Sequence, residues 1–279
     1  MQPSLKKYLK SLRVRGKLFA NLWTTVAYPK DKLKFLILNI LGSLPLPQIF
    51  VVKILDTFTP ILTNVKLKIY GVYFVAVDLE SFEVLLPSHE PWLWKYLKLR
   101  EGDVFIDAGA HIGKYTLLAA KITGNSGMVV SIEPHPKNFD AIAESVKLNM
   151  FKNVILVNAA LWSEETTLRL YEGNVAERHS LVKPSEKYII VRTRSLDSII
   201  EELNPIKIDW VKIDVVGSEL EVLKGMNVVL SNYKPRLVAE VWNENLKDFI
   251  SFLSDKNYKY FIIRAGHRVT YILGVPLST

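Results

Sequence analysis

The sequence predicts an α/β fold in which a mostly parallel sheet of seven strands is covered by helices on both faces. From residue 103 onward, short apolar segments alternate with amphipathic ones, the order expected of strands and helices in parallel sheets. The strand segments are nearly continuous apolar runs, as expected for strands buried on both faces. Before residue 99, alternating β-branched and aromatic residues predict a β-hairpin over 66–85, and helical segments precede it.

The expected elements follow one another along the chain. After the hairpin, the seven strands are predicted at Val104–Asp107, Met128–Glu133, Val154–Asn158, Trp210–Asp214, Arg236–Val241, Tyr258–Ile263 and Val269–Leu273. Helices are predicted at Glu90–Leu97, Tyr115–Lys121, Pro136–Asn149, Leu196–Leu203, Ser218–Leu223 and Glu244–Asp255. Ser218 and Glu221 have the spacing of a capping box at a helix start, and Gly225 suits the end of that helix.

Length and composition limit the organisation of the chain. With 279 residues, 49% of them hydrophobic and 23% charged, the chain has room for one large folded domain with an appendage. The expected divisions are an N-terminal segment at 1–62, a lead-in of hairpin and helix at 63–98, and the main domain at 99–279. Because cysteine is absent, disulfides, thiolate zinc sites and cysteine nucleophiles are excluded.

The N-terminal segment carries the net charge of the protein. Residues 1–34 hold nine Lys or Arg and one acid, whereas the remaining 245 residues hold 27 basic and 27 acidic side chains. A basic amphipathic helix is expected over 5–23, and an uncharged run interrupted by Pro45 and Pro47 covers 35–52. Binding of residues 5–55 to an anionic membrane surface would explain both features. A membrane span, a secretory signal, or packing of this segment onto the main domain are the alternatives.

The segment Val104-Phe-Ile-Asp-Ala-Gly-Ala-His-Ile-Gly113 carries the strongest functional signal. A buried strand leads into a glycine turn and then a helix, which places free N–H groups at a ligand site. Glu133 ends the next strand, where a carboxylate can accept hydrogen bonds from both ribose hydroxyls. His111 stands where a dinucleotide site needs glycine, and Asp107 would repel a pyrophosphate. The pattern therefore favours S-adenosylmethionine over NAD, and the missing Walker pattern disfavours ATP.

Several ordered blocks resemble the FkbM-type family of S-adenosylmethionine-dependent methyltransferases. They are FIDAGAHIGKYT, SIEPHPKNFDAIAESVKLN, VNAALWS, SLDSII and DWVKIDVVGSELEVLKGM, and the resemblance covers residues 66–245. It implies a Rossmann-like class I methyltransferase fold and O-methylation, often of sugar hydroxyls in natural products, glycans or glycolipids. The family pattern usually has glutamate where this chain has Val216, and Glu219 is the nearest candidate to compensate.

The candidate site residues lie at the carboxyl ends of the expected strands. The predicted cofactor set is Asp107, Gly109, Ala110, His111, Gly113, Glu133, Pro134, Asn158 and Ala159. The predicted catalytic set is Asp214, Glu240 and His179, the last from a polar insertion over 172–188 that also holds Glu177 and Arg178. Asp214, Glu240 and Asn243 resemble part of a magnesium site, but three oxygen donors are few for a hard cation, so no metal is expected.

The leading hypothesis is a cytoplasmic enzyme, peripheral on a membrane, that transfers a methyl group from S-adenosylmethionine to a hydroxyl of a sugar, glycan or glycolipid and releases S-adenosylhomocysteine. An RNA methyltransferase using the basic arm is the second hypothesis. It is disfavoured because the main domain is neutral and because residues 214–217 read Asp-Val-Val-Gly. A non-catalytic cofactor-binding module is the third. The sequence leaves the oligomeric state and the acceptor open.

Overall fold

The computed structural model describes residues 23–42, 64–172 and 179–277. It divides into two compact units. The described residues of the first unit are those before Trp92, together with Lys147–Asn149, and the second unit holds the rest. The predicted helix over 5–23 and the apolar run over 35–52 lie wholly or partly outside the described residues. The predicted domain boundaries therefore stay a prediction.

The first unit contains helix α1 (Pro29–Gly42), a hairpin and helix α2 (Leu79–Leu85). Strands β1 (Val65–Ile69) and β2 (Val72–Ala76) pair antiparallel around Tyr70 and Gly71, which both have positive φ as a tight hairpin turn requires. The expected hairpin over 66–85 was too long. It ends at Ala76 because the Asp78 side chain accepts a hydrogen bond from the Ser81 N–H (2.8 Å) and caps α2.

The second unit begins with a 3-10 helix (Leu93–Lys95) and then alternates strands and helices. Its strands are β3 (Val104–Ala108), β4 (Met128–Ile132), β5 (Val154–Val157), β6 (Ala160–Leu161), β7 (Thr167–Tyr171), β8 (Tyr188–Arg194), β9 (Trp210–Ile213), β10 (Arg236–Trp242), β11 (Tyr258–Ala265) and β12 (Val269–Pro276). Its helices are α3 (Lys114–Thr123), α4 (Pro136–Asn149), α5 (Leu196–Leu203), α6 (Glu219–Lys224), a π-helix (Val229–Tyr233) and α7 (Leu246–Asp255).

Seven strands form the main sheet in the order β11-β12-β10-β9-β3-β4-β5. Every pair is parallel except the two that involve β12, which runs antiparallel between β10 and β11. This arrangement confirms the predicted Rossmann-like α/β fold with a mostly parallel sheet. The small sheet β6-β8-β7 is absent from the predicted elements, and its strands β7 and β8 lie on either side of the predicted polar insertion at 172–188.

Alternate residues of each strand face opposite sides of the sheet and build two apolar clusters. Ile106 and Ala108 belong to the cluster that includes residues of α5, α6 and α7. Phe105 belongs to the cluster that includes Leu93, Leu97 and residues of α3. Asp107 follows Phe105 on this second face by strand alternation, as Lys212 follows Trp210 and Glu240 follows Val238. The polar side chains of the candidate site therefore share one face near the carboxyl edge of the sheet.

No helix in the described ranges is long and apolar enough to cross a membrane.

Candidate active site

The turn after β3 is built so closely that only glycine fits at its first position. Gly109 has a φ of +78°, and a Cβ added there would lie 1.9 Å from the Asp214 carbonyl oxygen. Gly113 has a φ of +80°, and an added Cβ would lie 3.1 Å from the Ile142 side chain. Between them, His111 also has positive φ. The two glycines let the turn bring backbone N–H groups to the edge of the sheet at the start of α3, as a cofactor cradle requires.

Glu133 is the carboxylate that organises this turn. Its Oε2 accepts a hydrogen bond from the His111 N–H (2.8 Å), and its Oε1 accepts from the His135 N–H (3.0 Å) and the Asn138 side chain (3.4 Å). Burial nevertheless raises the pKa of the Glu133 carboxyl to about 7, because desolvation outweighs these hydrogen bonds. The predicted ribose-binding acid thus lies beside the glycine turn.

Asp107 is fully buried at the end of β3. Its Oδ2 accepts a hydrogen bond from the Thr116 hydroxyl (2.7 Å), which also contacts the Ser131 hydroxyl (2.8 Å). Its Oδ1 has no hydrogen-bond partner among the described residues and lies 3.5 Å from the Lys212 ammonium. An under-satisfied buried carboxylate beside the glycine turn fits a site for a cationic group such as the sulfonium or α-amino group of S-adenosylmethionine.

The remaining predicted cofactor residues close the same region. The Asn158 side chain donates to the carbonyl oxygens of Glu133 (2.9 Å) and Pro134 (3.3 Å), which ties the end of β5 to the end of β4. Ala110 and Ala159 are buried. The structure thus brings the predicted cofactor residues together around the carboxyl ends of β3, β4 and β5.

Two acids lie farther along the sheet, at the ends of β9 and β10. The Lys212 ammonium is 3.4 Å from Asp214 Oδ2, so this buried lysine bridges the carboxylates of Asp107 and Asp214. Glu240 is opposite Tyr271 in the β10–β12 register, and the Tyr271 hydroxyl donates a hydrogen bond to its carboxylate. Tyr271 was not singled out from the sequence, because only the strand register brings it to Glu240.

The loop after β9 is held by several polar contacts. Val216 has positive φ, an uncommon conformation for a β-branched residue, and its carbonyl accepts a hydrogen bond from the Ser180 hydroxyl (2.9 Å). Glu219 is buried and accepts from the Gly217 N–H (2.6 Å) and the Asn245 side chain (3.0 Å). Burial raises the pKa of the Glu219 carboxyl. Glu219 therefore stabilises this loop through its hydrogen bonds to Gly217 and Asn245. These contacts do not depend on which residue occupies position 216.

The predicted capping box at the start of α6 was wrong. The Ser218 side chain makes no capping hydrogen bond, and its buried hydroxyl has no hydrogen-bond partner among the described residues. Glu221 instead accepts from the Ser163 hydroxyl and pairs with Lys224. The predicted helix itself is present, at Glu219–Lys224.

His179 lies against the end of β4. Its ring stacks on the His135 ring with centroids 4.2 Å apart, and the His135 ring is 3.5 Å from a Glu172 carboxylate oxygen. The neighbouring Ser180 hydroxyl donates to the Val216 carbonyl, so residues 179–180 connect the loops that follow β4 and β9. A catalytic role for His179 stays a prediction, and Glu177 and Arg178 lie outside the described residues.

Among the described residues, no group of three or more His, Asp or Glu side chains is arranged to hold a metal ion.

Comparisons with known proteins show similarity to methyltransferases. The chain is 28% identical over 174 residues to the hexuronic acid methyltransferase AglP of Haloferax volcanii, covering 62% of this chain and 71% of AglP. It is 28% identical over 204 residues to the methyltransferase sdnD of Sordaria araneosa, covering 61% of this chain and 78% of sdnD.

A crystal structure of methyltransferase FkbM from Methylobacillus flagellatus superposes with a TM-score of 0.50 at 15% identity. The match covers 95% of this chain and 60% of that one, and it supports the fold alone. A family model for the methyltransferase FkbM domain matches residues 107–260, which include the glycine turn, Glu133, Asp214 and Glu240. The chain therefore belongs to the FkbM family of S-adenosylmethionine-dependent methyltransferases.

Proposed function

We propose that this protein is an O-methyltransferase whose acceptor is a hydroxyl group of a sugar. The observation that carries the proposal is the pair of carboxylates, Asp214 and Glu240, at adjacent strand ends beside the cofactor cradle. A hydroxyl acceptor needs a group that orients it and takes its proton, and carboxylates can do both. The similarity to a protein named as a hexuronic acid methyltransferase supports a sugar as the acceptor.

In this proposal each part of the site has one task. The cradle of Gly109, Glu133 and Asp107 binds S-adenosylmethionine, which supplies a methyl group on a positively charged sulfur. With that group bound, the acceptor oxygen would bond to the methyl carbon as the carbon–sulfur bond breaks, and the electron pair of the broken bond would stay on sulfur. Asp214 takes the hydroxyl proton. Glu240, held by the Tyr271 hydroxyl, orients the acceptor.

Thermal unfolding with S-adenosylmethionine, S-adenosylhomocysteine and NAD in parallel tests the cofactor. A ligand at about 100 times its Kd should stabilise the protein by roughly 2.7 kcal/mol. We expect stabilisation by the two adenosyl sulfur compounds and none by NAD. Stabilisation by NAD alone would contradict the cofactor assignment.

Methyl transfer from labelled S-adenosylmethionine to a panel of glycosides tests the chemistry. Asp214→Asn should lower kcat by about 10²- to 10⁴-fold, the usual contribution of a general base, with little change in S-adenosylhomocysteine affinity. Glu201→Gln, on an exposed part of α5, is the matched control and should retain activity. Equal activities of Asp214→Asn and wild type would show that another group takes the proton.

We also propose that the protein associates with an anionic membrane surface. Nine basic residues against one acid in residues 1–34 suit an anionic membrane surface. In the full-length protein, changing Lys6, Lys7 and Lys10 to glutamine should weaken sedimentation with phosphatidylserine vesicles at low salt. Unchanged sedimentation would remove the membrane from the proposal. Residues 1–62, 63–98 and 99–279 remain the proposed divisions of the chain.

A further inference from the structure

Three polar side chains lie side by side across the strands beyond Asp214. In the register of β11, β12 and β10, Arg264 is opposite Tyr271, and Tyr271 is opposite Glu240. Since β11 is parallel to β10, Arg264 lies near the same carboxyl edge as Glu240. The row therefore continues the candidate active site toward the β11–β12 hairpin.

Two indole rings lie near this row, and a cationic side chain is placed over each ring. The Trp92 ring meets the Tyr271 ring edge to face with centroids 4.7 Å apart, and the Arg264 guanidinium lies 5.2 Å from the Trp92 ring centroid. Trp242 follows Glu240 by two residues on the same face of β10, and the Lys183 ammonium lies 5.0 Å from its ring centroid. Aromatic walls around a few fixed polar groups are typical of small-molecule sites.

The charged side chains of the β11–β12 hairpin are all basic. Residues 258–277 contain Lys259, Arg264, His267 and Arg268 but no aspartate or glutamate. Arg264 is exposed, and its guanidinium lies over the Trp92 ring. A guanidinium that is held by an indole face keeps its N–H donors available for a planar anion, and arginine binds carboxylates through two parallel hydrogen bonds.

We propose that Arg264, Trp92, Tyr271 and Glu240 form an acceptor subsite for an acidic sugar. Arg264 binds the sugar carboxylate, the indole of Trp92 fixes the guanidinium, and the Glu240 carboxylate and the Tyr271 oxygen accept hydrogen bonds from the sugar hydroxyls. This inference rests on the proposed function, because it assigns the charge of the sugar that the enzyme methylates. Arg264 lies across β12 from Glu240, and its charge offsets the repulsion that this carboxylate exerts on an anionic acceptor.

Binding of matched probes to the protein saturated with S-adenosylhomocysteine tests the subsite. The probes are methyl β-D-glucuronoside, its uncharged methyl ester, methyl β-D-glucoside and glucose 6-phosphate, with Kd measured by ligand-detected NMR. Wild type should bind the glucuronoside roughly tenfold more tightly than the ester or the glucoside, the effect of one charged hydrogen-bonded pair. It should also prefer the carboxylate to the phosphate.

Two variants of strand β11 make the test specific. Arg264→Met should abolish the preference for the glucuronoside, and Arg264→Lys, which keeps the charge without the fork, should restore part of it. Lys259→Met is the matched control, because Lys259 also lies over an aromatic ring, that of Phe261, but at the opposite end of β11. It should leave the preference unchanged.

The outcomes separate the two proposals. If S-adenosylhomocysteine does not bind, the proposed function fails. If it binds but no probe does, or the charged and uncharged probes bind equally, the acidic-sugar subsite is wrong and the cofactor assignment stands. A stronger affinity for glucose 6-phosphate, or a preference that survives Arg264→Met, likewise overturns the subsite.

Discussion

Replacing Glu133 by glutamine should change the pH dependence of stability as well as cofactor binding. The Glu133 carboxyl accepts two backbone N–H hydrogen bonds and one from Asn138, yet burial still raises its pKa from 4.5 to about 7. The folded protein therefore holds a proton on this group over a pH range in which the unfolded chain has already lost it. The free energy of unfolding should therefore fall as the pH rises through this range.

The size and sign follow from the two pKa values. Because the folded-state pKa is the higher one, the stability from this group is fully present below pH 4.5 and is lost as the pH rises through about 7. A displacement from 4.5 to about 7, at about 1.36 kcal/mol per unit, corresponds to about 3 kcal/mol. Glutamine does not titrate, so Glu133→Gln should lack this loss.

Urea unfolding of wild type and Glu133→Gln at intervals of pH measures the effect. The difference in unfolding free energy between the two proteins should move by about 3 kcal/mol in favour of the variant as the pH rises across the window. Any constant effect of the substitution on packing cancels in this comparison, and Glu201→Gln provides the profile of an exposed glutamate. A difference that stays flat across the window would refute the reasoning, because it would mean that burial does not raise this pKa.

Three further predictions test other parts of the site. Gly109→Ala should destabilise the fold by about 2 kcal/mol more than Gly102→Ala. Both glycines have φ near +80°, but only at Gly109 would the added Cβ meet a carbonyl oxygen, that of Asp214. Equal losses of unfolding free energy in urea would exclude this clash. Lys212→Met should lower the free energy of unfolding by about 3–5 kcal/mol, because Asp107 and Asp214 lose the cation that they share. A decrease below about 1 kcal/mol in urea unfolding would argue against a buried ion pair. Tyr271→Phe should lower kcat/KM about tenfold while S-adenosylhomocysteine affinity is kept, and a loss of affinity alone would move Tyr271 to the cofactor side.

The sequence predicted the parallel-sheet core well because its signals are local. The helices at Pro136–Asn149 and Leu196–Leu203 were placed with the bounds that the structure has. The glycine turn and Glu133 were found because a strand, a turn, a helix and the end of the next strand lie within one short stretch. The hairpin was overextended because alternating apolar residues outweighed the capping signal of Asp78.

The acceptor side was harder to predict because it depends on distant pairings. Tyr271 reaches Glu240 only through the antiparallel insertion of β12, and Trp92 reaches Tyr271 only through packing onto the same face. The spacing of these residues along the chain does not indicate that they are in contact. The bridging of Asp107 and Asp214 by Lys212 is similar, since it requires the β3–β9 register.

The insertion of β12 between β10 and β11 also bears on how the enzyme is made. On the ribosome, the turn after β3 and the acid that ends β4 emerge within a few tens of residues of each other. Tyr271 follows more than a hundred residues later, on the order of 10 s at ordinary rates of translation. Because β10 ends at Trp242 and β12 begins at Val269, the outer edge of β10 lacks its partner only for the last few seconds of that interval, at about 5–20 residues per second. Until β12 pairs with it, that edge presents unpaired backbone N–H and C=O groups to any other strand.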